Sequence, residues 1–308
     1  MLGSRGSALA LAQARWVEEA LRASLPGAAP ELRIIRTEGD RFESALLSSG
    51  STVGIFVREI EEELLAGRID LAVHSLKDLP TTQPPGLVLA AIPAREDPRD
   101  VLVVRQGGGL GDLPPGATVG TGSPRRIGQL LALRPDLRFE AIRGNVDTRV
   151  RKLLDGEVDA LVLAAAGLKR LGASGAVFHF LPYEMILPAP GQGALAIEVR
   201  SNDETLVTEI GTRLNHGETA SAVRAERAFL KALGGGCQMP VGALGTLLGE
   251  HLSLQGVVAA PDGSTLLREE TRGPARDPES VGEELGRKVL EAGASGLLAR
   301  SGRKGWER

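Results

Sequence analysis

The sequence predicts an α/β protein with two similar domains followed by a third, smaller α/β domain. Residues 64–73 (LLAGRIDLAV) and 153–162 (LLDGEVDALV) share a Leu-Leu helix end, a glycine and a short apolar strand. Glycine just past a helix is the usual left-handed cap, and a β-branched run after it is typical of a strand. A length of 308 residues favours two or three domains of roughly 150 residues or fewer. Because strands alternate with helices, we expect largely parallel sheets.

The first repeat contains the earliest helix and strand signals. Ser7 can cap a helix over 8–24, and residues 31–37 (ELRIIRT) predict a strand. A helix over 56–66 follows. Its apolar face is formed by Val57, Ile60 and Leu64.

The second repeat begins with a strong helix start. Ser123 is placed to be the N-cap and Pro124 the first helical residue. Residues 137–143 (LRFEAIR) predict the next strand, and Asn145 is placed to cap the helix after it.

The last third of the chain changes character. A helix over about 218–232 runs into LGGGCQMPVG at 233–242. One strand is predicted on each side of the turn at 261–263, and Asp277 with Pro278 starts a final helix. These elements predict a third domain from about residue 216 onward.

Composition bounds the function. Hydrophobic residues make up 42% and charged residues 24%, as in ordinary globular proteins. A net charge of −3 argues against general nucleic-acid binding. The sequence has no apolar run of membrane-spanning length, and residues 1–21 predict an amphipathic helix and not a signal peptide. We therefore expect a cytoplasmic protein without membrane contact.

Two familiar site patterns fail. GQGALA at 191–196 matches a dinucleotide fingerprint, but residues 194–199 predict a strand where that fingerprint requires a helix. An NAD-dependent oxidoreductase is therefore disfavoured. The histidines lack metal-ligand spacing. They are His74, His179, His216 and His251.

Arginines cluster at predicted helix starts. They are Arg5, Arg125, Arg126, Arg143 and Arg149. Strand carboxyl ends and helix N-termini bind ligands in α/β proteins, and arginine binds carboxylate or phosphate through two donors. The pattern predicts a polyanionic small molecule held between two domains. Lys77 and Asp78 follow another strand, where they form either a salt bridge or a site with a catalytic carboxylate.

The only cysteine, Cys237, lies in a glycine-rich segment. A lone cysteine excludes an internal disulfide and is often a small buried apolar residue. Because GGGCQMP contains so many residues that interrupt helices and strands, a loop position is favoured, where binding and chemistry are common.

Eight segments in order resemble the porphobilinogen deaminase family over nearly the whole chain. They are SRGSALA (4–10), HSLKDLP (74–80), REDPRDVLV (95–103), GTGSPRR (120–126), RGNVDTR (143–149), GLKRLG (167–172), LPAPGQGALAIE (187–198) and GGGCQMPVG (234–242). The resemblance implies a transferase of porphyrin and heme biosynthesis. Such an enzyme condenses four porphobilinogen molecules, with loss of ammonia, into hydroxymethylbilane.

The resemblance also implies a covalent dipyrromethane cofactor joined to Cys237 by a thioether. Asp78 matches the catalytic aspartate. The implied cofactor-binding residues are Ser75, Lys77, Asp78, Thr121, Ser123, Arg125, Arg126 and Arg149. Arg5, Ser7 and Arg143 match positions linked to the incoming substrate.

The family organisation implies domain boundaries. Domain 1 is expected at 1–95 plus 194–213, domain 2 at 96–193 and domain 3 at 216–308. The first two should resemble the halves of a periplasmic solute-binding protein, with the active site in their cleft. A monomer is expected.

Two segments depart from the family. Residues 46–56, which match a mobile segment often rich in lysine, have none, and Glu38 stands where a basic residue is usual. The alternative from another class is a non-catalytic anion-binding module of the same two-domain build. It would need no group on Cys237.

Overall fold

The computed structural model describes residues 1–25, 27, 29–36, 57–172, 174–236 and 239–301. Cys237, Glu38 and the segment 46–56 lie outside the described residues. The helices, numbered α1 to α9, are Ala8–Ser24, Arg58–Leu65, Pro124–Leu133, Val146–Leu154, Ala165–Leu171, Glu204–Leu214, Gly217–Ala232, Pro278–Glu291 and Ala294–Ser301. The strands, numbered β1 to β13, are Leu2–Arg5, Leu32–Ile35, Leu71–Ser75, Leu87–Ala91, Asp100–Val104, Thr118–Gly120, Arg138–Glu140, Ala160–Ala164, Val177–Phe180, Leu195–Arg200, Val241–Leu248, His251–Ala259 and Leu266–Pro274.

Two five-stranded sheets share one topology. The first has the order β2-β1-β3-β10-β4 and the second the order β7-β6-β8-β5-β9. In each sheet the first two pairings are parallel and the last two antiparallel. The expectation of largely parallel sheets is therefore wrong for half of the pairings. All of these antiparallel pairings involve β5 or β10. These two strands follow the two chain segments that connect the first and second sheets, here called the crossings, and each runs antiparallel to both of its neighbours.

The third sheet, β11-β12-β13, is antiparallel throughout. Helices α7 and α8 cover it, and Phe229, Leu254 and Leu285 are fully buried in its core. The predicted strands on either side of the 261–263 turn are β12 and β13. Sequence analysis did not predict β11 or α9.

Most predicted helix starts are confirmed. Ser7 is the N-cap of α1 and its hydroxyl accepts from the Ala10 N–H at 3.3 Å. Ser123 and Asn145 occupy the N-cap positions of α3 and α4, although neither side chain makes a capping hydrogen bond. Asp277 is the N-cap of α8. Within the described ranges, no helix is both long and apolar enough to cross a membrane.

The prediction that a strand and not a helix follows GQGALA is confirmed, since the segment leads into β10. Gly193 has a φ of +87°, and a Cβ there would lie 2.3 Å from the Glu96 carbonyl oxygen. Gly191 has a φ of +75° and lies against Leu76 and the Lys77 N–H. Glycine is required at both positions because of this conformation and the close backbone approach. The two segments that connect the first and second sheets therefore pack directly against each other.

Candidate active site

A cavity of about 100 Å³ lies between the first two sheets. Its lining comes from α1, the end of β3, the first turn of α3, α4, the junction of β8 and α5, and the turn before β10. The lining residues are Leu9, Gln13, Ser75, Lys77, Arg126, Val146, Arg149, Leu163, Ala164, Ala166, Gly167, Arg170, Gly193 and Ala194. The structure thus brings together four of the residues predicted to bind the cofactor, namely Ser75, Lys77, Arg126 and Arg149.

The cavity is positively charged. Lys77, Arg126, Arg149 and Arg170 all contribute to the lining, and none of the described lining residues is a carboxylate. Cationic side chains gathered in a cleft with low-dielectric walls attract anions. The arrangement suits a small molecule with several carboxylates.

Ser75 lies at the end of β3, where Gln13 fixes it from α1. The Gln13 amide and the Ser75 hydroxyl are 2.8 Å apart (Nε2 to Oγ), and Oε1 of Gln13 lies 3.1 Å from the same hydroxyl. Because α1 begins at the Ser7 cap, the helix start sets the position of Gln13 two turns later. Both side chains present polar groups to the cavity.

Lys77 and Asp78 lie in a short 3₁₀ turn directly after β3. Leu76 anchors this turn, since it is buried and its N–H donates to the Ala194 carbonyl at 3.0 Å. Burial lowers the pKa of Lys77 to about 8, with Arg126 and Arg125 acting in the same direction and Asp78 and Asp100 opposing them. Asp78 is exposed and does not line the cavity.

Arg125 and Arg126 are both buried around one carboxylate, Asp100. Nη1 of Arg125 lies 2.6 Å from Oδ2 of Asp100, and Nη2 of Arg126 lies 2.7 Å from Oδ1. Burial raises the pKa of Asp100, but the two guanidinium groups outweigh burial and hold it well below its usual range. Arg126 reaches the cavity, whereas Arg125 does not and also donates to the Leu187 carbonyl at 2.7 Å.

The two remaining cationic lining residues are held by backbone carbonyls. Nε of Arg149 donates to the Gly144 carbonyl at 2.7 Å, and Nη2 of Arg170 donates to the Gly193 carbonyl at 2.8 Å. Burial lowers the pKa of Arg170. The Gly193 bond ties α5 to the crossing before β10.

Five other predicted site residues lie outside the cavity lining. Thr121 is buried, and its hydroxyl accepts from the Ser123 N–H at 3.3 Å. Arg143 is exposed at the start of α4, and Arg5 and Ser7 are half-buried at the start of α1. The roles assigned to these residues stay predictions.

The described edge of the cysteine segment lies beside the turn that carries Asp78. Arg227 of α7 donates through Nη2 to the Pro80 carbonyl at 2.7 Å. Gly235, with a φ of +59°, lies so close to Thr81 that an added Cβ would be 3.1 Å from the Thr81 hydroxyl. The chain therefore approaches the Asp78 turn two residues before Cys237.

Sequence analysis missed Gln13, Asp100 and Arg170. It also missed Gln192, whose amide nitrogen donates to Asp100 at 2.9 Å. Arg170 and Asp100 lie within GLKRLG and REDPRDVLV, two segments that carry the family resemblance. Asp100 also had a local signal, because it is an aspartate at the start of an otherwise apolar strand, DVLVV. Gln13 had no such signal in an amphipathic helix.

Two family models match the chain. Residues 1–208 match the dipyrromethane cofactor binding domain of porphobilinogen deaminase, and residues 220–291 match the C-terminal domain of porphobilinogen deaminase.

Full-length relatives agree with these matches. The porphobilinogen deaminase of Desulforudis audaxviator is 51% identical, and the alignment covers 97% of each chain. That of Thermus thermophilus is 50% identical over 97% of this chain and 98% of its own.

Among solved structures, the periplasmic VFT2 domain of Bordetella pertussis BvgS aligns with 70% of the chain at 17% identity and a TM-score of 0.38.

Proposed function

The chain belongs to the porphobilinogen deaminase family, and we propose that the cationic cavity between its first two sheets is where that family's reaction takes place. The enzyme is a transferase that condenses four porphobilinogen molecules head to tail into hydroxymethylbilane, releasing ammonia at each addition. It builds the product on a dipyrromethane primer.

The charge of the cavity carries this proposal. Pyrrole units of this class bear acetate and propionate groups, and the lining supplies Lys77, Arg126, Arg149 and Arg170 without a competing carboxylate among the described lining residues. Charge-assisted hydrogen bonds contribute about 1.5–3 kcal/mol each. These cations therefore fit the dipyrromethane carboxylates, with Ser75 as an additional donor. When bound, dipyrromethane supplies the pyrrole carbon to which substrate is joined.

Three predicted cofactor-binding residues lie next to the cavity without lining it. They are Arg125, Thr121 and Ser123. Arg125 is buried beside Arg126, and Thr121 and Ser123 form the backbone turn that starts α3. In our proposal they shape the cofactor-binding face. Arg5, Ser7 and Arg143, which lie at the starts of α1 and α4, receive the incoming substrate.

Asp78 is the proposed catalytic residue. It stands exposed at the end of the turn after β3, one residue from the cavity-lining Lys77. A carboxylate there can stabilise the positive charge that develops on a pyrrole ring as ammonia leaves, and can accept a proton.

Cys237 is the proposed attachment site of dipyrromethane. It lies outside the described residues, but Gly235, two residues earlier, lies close to Thr81, which follows Asp78 by three residues. A thioether keeps the growing chain from dissociating, whereas noncovalent binding at micromolar affinity amounts to only about 8 kcal/mol.

The proposal includes the domain boundaries 1–95 plus 194–213, 96–193 and 216–308. The sheet memberships support them, since β10 lies between β3 and β4 while β5 to β9 form the second sheet. We also propose that the enzyme acts as a monomer in the cytoplasm, without nucleic acid or membrane.

Intact mass of the purified protein tests the proposal, with Cys237→Ser as the control. A mass above the sequence value by two linked pyrrole units, absent in the control, is expected. If the chain is unmodified, it is incubated with porphobilinogen. Failure to form an adduct would contradict the proposal and leave the anion-binding module.

A further inference from the structure

Asp100 is a fully buried carboxylate on which the cationic network of the cavity converges. It is the first residue of β5, immediately after the crossing from the first sheet to the second. Oδ1 accepts from Nε and Nη2 of Arg126 at 3.1 and 2.7 Å and from the Gln192 amide at 2.9 Å. Oδ2 accepts from Nη1 of Arg125 at 2.6 Å.

The bonds to Arg126 fix the orientation of its guanidinium plane. Nε and Nη2 bind Asp100, and Nη1 donates to the Val162 carbonyl at 2.8 Å. An arginine has five N–H donors, so among the described contacts one N–H remains on each Nη. Because Arg126 lines the cavity, these two donors are available to a ligand carboxylate.

Gln192 extends the network to the first sheet. Its amide nitrogen donates to Asp100 and to the Pro98 carbonyl at 2.7 Å. That places the amide oxygen toward Lys77, whose Nζ lies 3.5 Å away, at the long limit of a hydrogen bond. One carboxylate thus reaches cationic side chains on both sides of the cavity.

We infer that Asp100 is a positioning residue for the reaction, which holds Arg126 directly and Lys77 through Gln192 in the orientations that meet carboxylates in the cavity. The inference rests on the proposed function of the cavity. Asp100 does not itself line the cavity. Its role is to supply one negative charge to the buried cations. Without that charge they would repel each other and leave their present orientations.

Asp100→Asn tests the inference in the full-length protein, with the exposed Asp112→Asn in the second sheet's domain as the control. Intact mass measures cofactor loading, and circular dichroism with thermal unfolding measures folding. We expect incomplete loading, or kcat/KM lowered by at least about tenfold, the effect of one charge-assisted hydrogen bond.

Two readouts separate positioning from general damage. Asp100 and Asp78 raise the pKa of Lys77 while Arg126 and Arg125 lower it, so Asp100→Asn should move the alkaline limb of kcat/KM to lower pH. In addition, Asp100→Asn should cost clearly less when Arg126 is already Gln, because the part of the effect that acts through Arg126 is then absent and only the part through Gln192 and Lys77 remains.

If Asp100→Asn does not fold, the double variant Asp100→Asn/Arg125→Gln is used, which keeps the net charge of the cluster. It tests whether Arg126 keeps its orientation without Asp100. A folded variant with wild-type loading, kcat/KM and pH profile would overturn the inference while the proposed function stood. Absence of both cofactor and activity in the wild-type protein would instead contradict the proposed function.

Discussion

Glu226 and Arg95 form a buried two-point ion pair at the place where the two crossings between the sheets meet the third domain. The Nη1–Oε1 distance is 2.6 Å and the Nη2–Oε2 distance is 3.0 Å. The same carboxylate accepts from the Gly191 N–H at 2.7 Å and from the Gly245 N–H at 2.9 Å. Glu226 therefore joins both crossings to α7, the helix that leads to the cysteine segment.

We expect Glu226→Gln to lower the free energy of unfolding by about 3–5 kcal/mol, because removing one partner leaves a buried charge uncompensated. Urea denaturation followed by circular dichroism measures the loss. The control is Glu279→Gln, which breaks the exposed pair between Arg224 of the same helix and Glu279 of α8. That change should cost at most about 1 kcal/mol. Equal losses would contradict the role of Glu226.

Asp78→Asn should keep the fold, because the side chain is exposed. Turnover of porphobilinogen should fall by about 100-fold or more, the usual contribution of a positioned acid–base group. Product formation is measured by absorbance after oxidation to porphyrin, with the exposed Asp155→Asn as the control. Near-normal turnover in a folded Asp78→Asn enzyme would refute the assignment.

Lys77 should react with amine reagents at lower pH than an ordinary lysine. In Cys237→Ser protein, which we expect to lack dipyrromethane, labelling of Lys77 should be half-maximal near pH 8, as its pKa of about 8 implies. Peptide mass spectrometry over a pH series measures it, with the exposed Lys231 as the internal reference. In the cofactor-loaded protein, nearby carboxylates should move the midpoint upward. A midpoint near 10.5 in the Cys237→Ser protein would disprove the prediction.

The same shift predicts a pH dependence of stability. The unfolded chain retains the Lys77 proton up to about pH 10.5, whereas the folded chain releases it near pH 8. Stability rises with pH wherever the unfolded state binds more protons. Because of this group, the free energy of unfolding should rise between about pH 8 and pH 10.5. In urea titrations over that range, Lys77→Met should abolish the rise.

Gly235→Ala should disturb elongation more than folding. Gly235 has a φ of +59° and lies against Thr81, whereas Gly249, in the turn between β11 and β12, has a φ of +64° with open space around it. Alanine at either position should cost about 1–2 kcal/mol of stability because of the left-handed backbone. Only Gly235→Ala should accumulate short enzyme-bound intermediates, seen by intact mass. Identical intermediate populations in the two variants would contradict a role of Gly235 in elongation.

Local structure was largely predictable from the sequence, because caps and periodicity act over a few residues. Ser7, Ser123 and Asn145 were correctly placed at helix starts, and the strand after GQGALA excluded a dinucleotide site. Strand direction was not predictable, because an apolar strand has the same pattern whether it pairs parallel or antiparallel to its neighbour. Half of the pairings in the first two sheets were therefore misjudged.

The site was predictable by residue type but not by arrangement. Arg125 and Arg126 are neighbours in one helix turn, yet only Arg126 reaches the cavity, because Asp100 and the Leu187 carbonyl hold Arg125 inside. Asp100, Gln192 and Glu226 act through partners far away in sequence. A local pattern can mark such a residue, as the polar start of DVLVV marks Asp100, but it does not identify the partners.

The order of strands in the first sheet has a consequence for the chain as it leaves the ribosome. Strand β10 separates β3 from β4, but it is translated after every strand of the second sheet. The inserted second sheet can therefore close first, while β3 and β4 wait with unpaired edges. Such edges can pair with other chains, so the nascent protein carries an aggregation-prone edge until its residue 200 emerges.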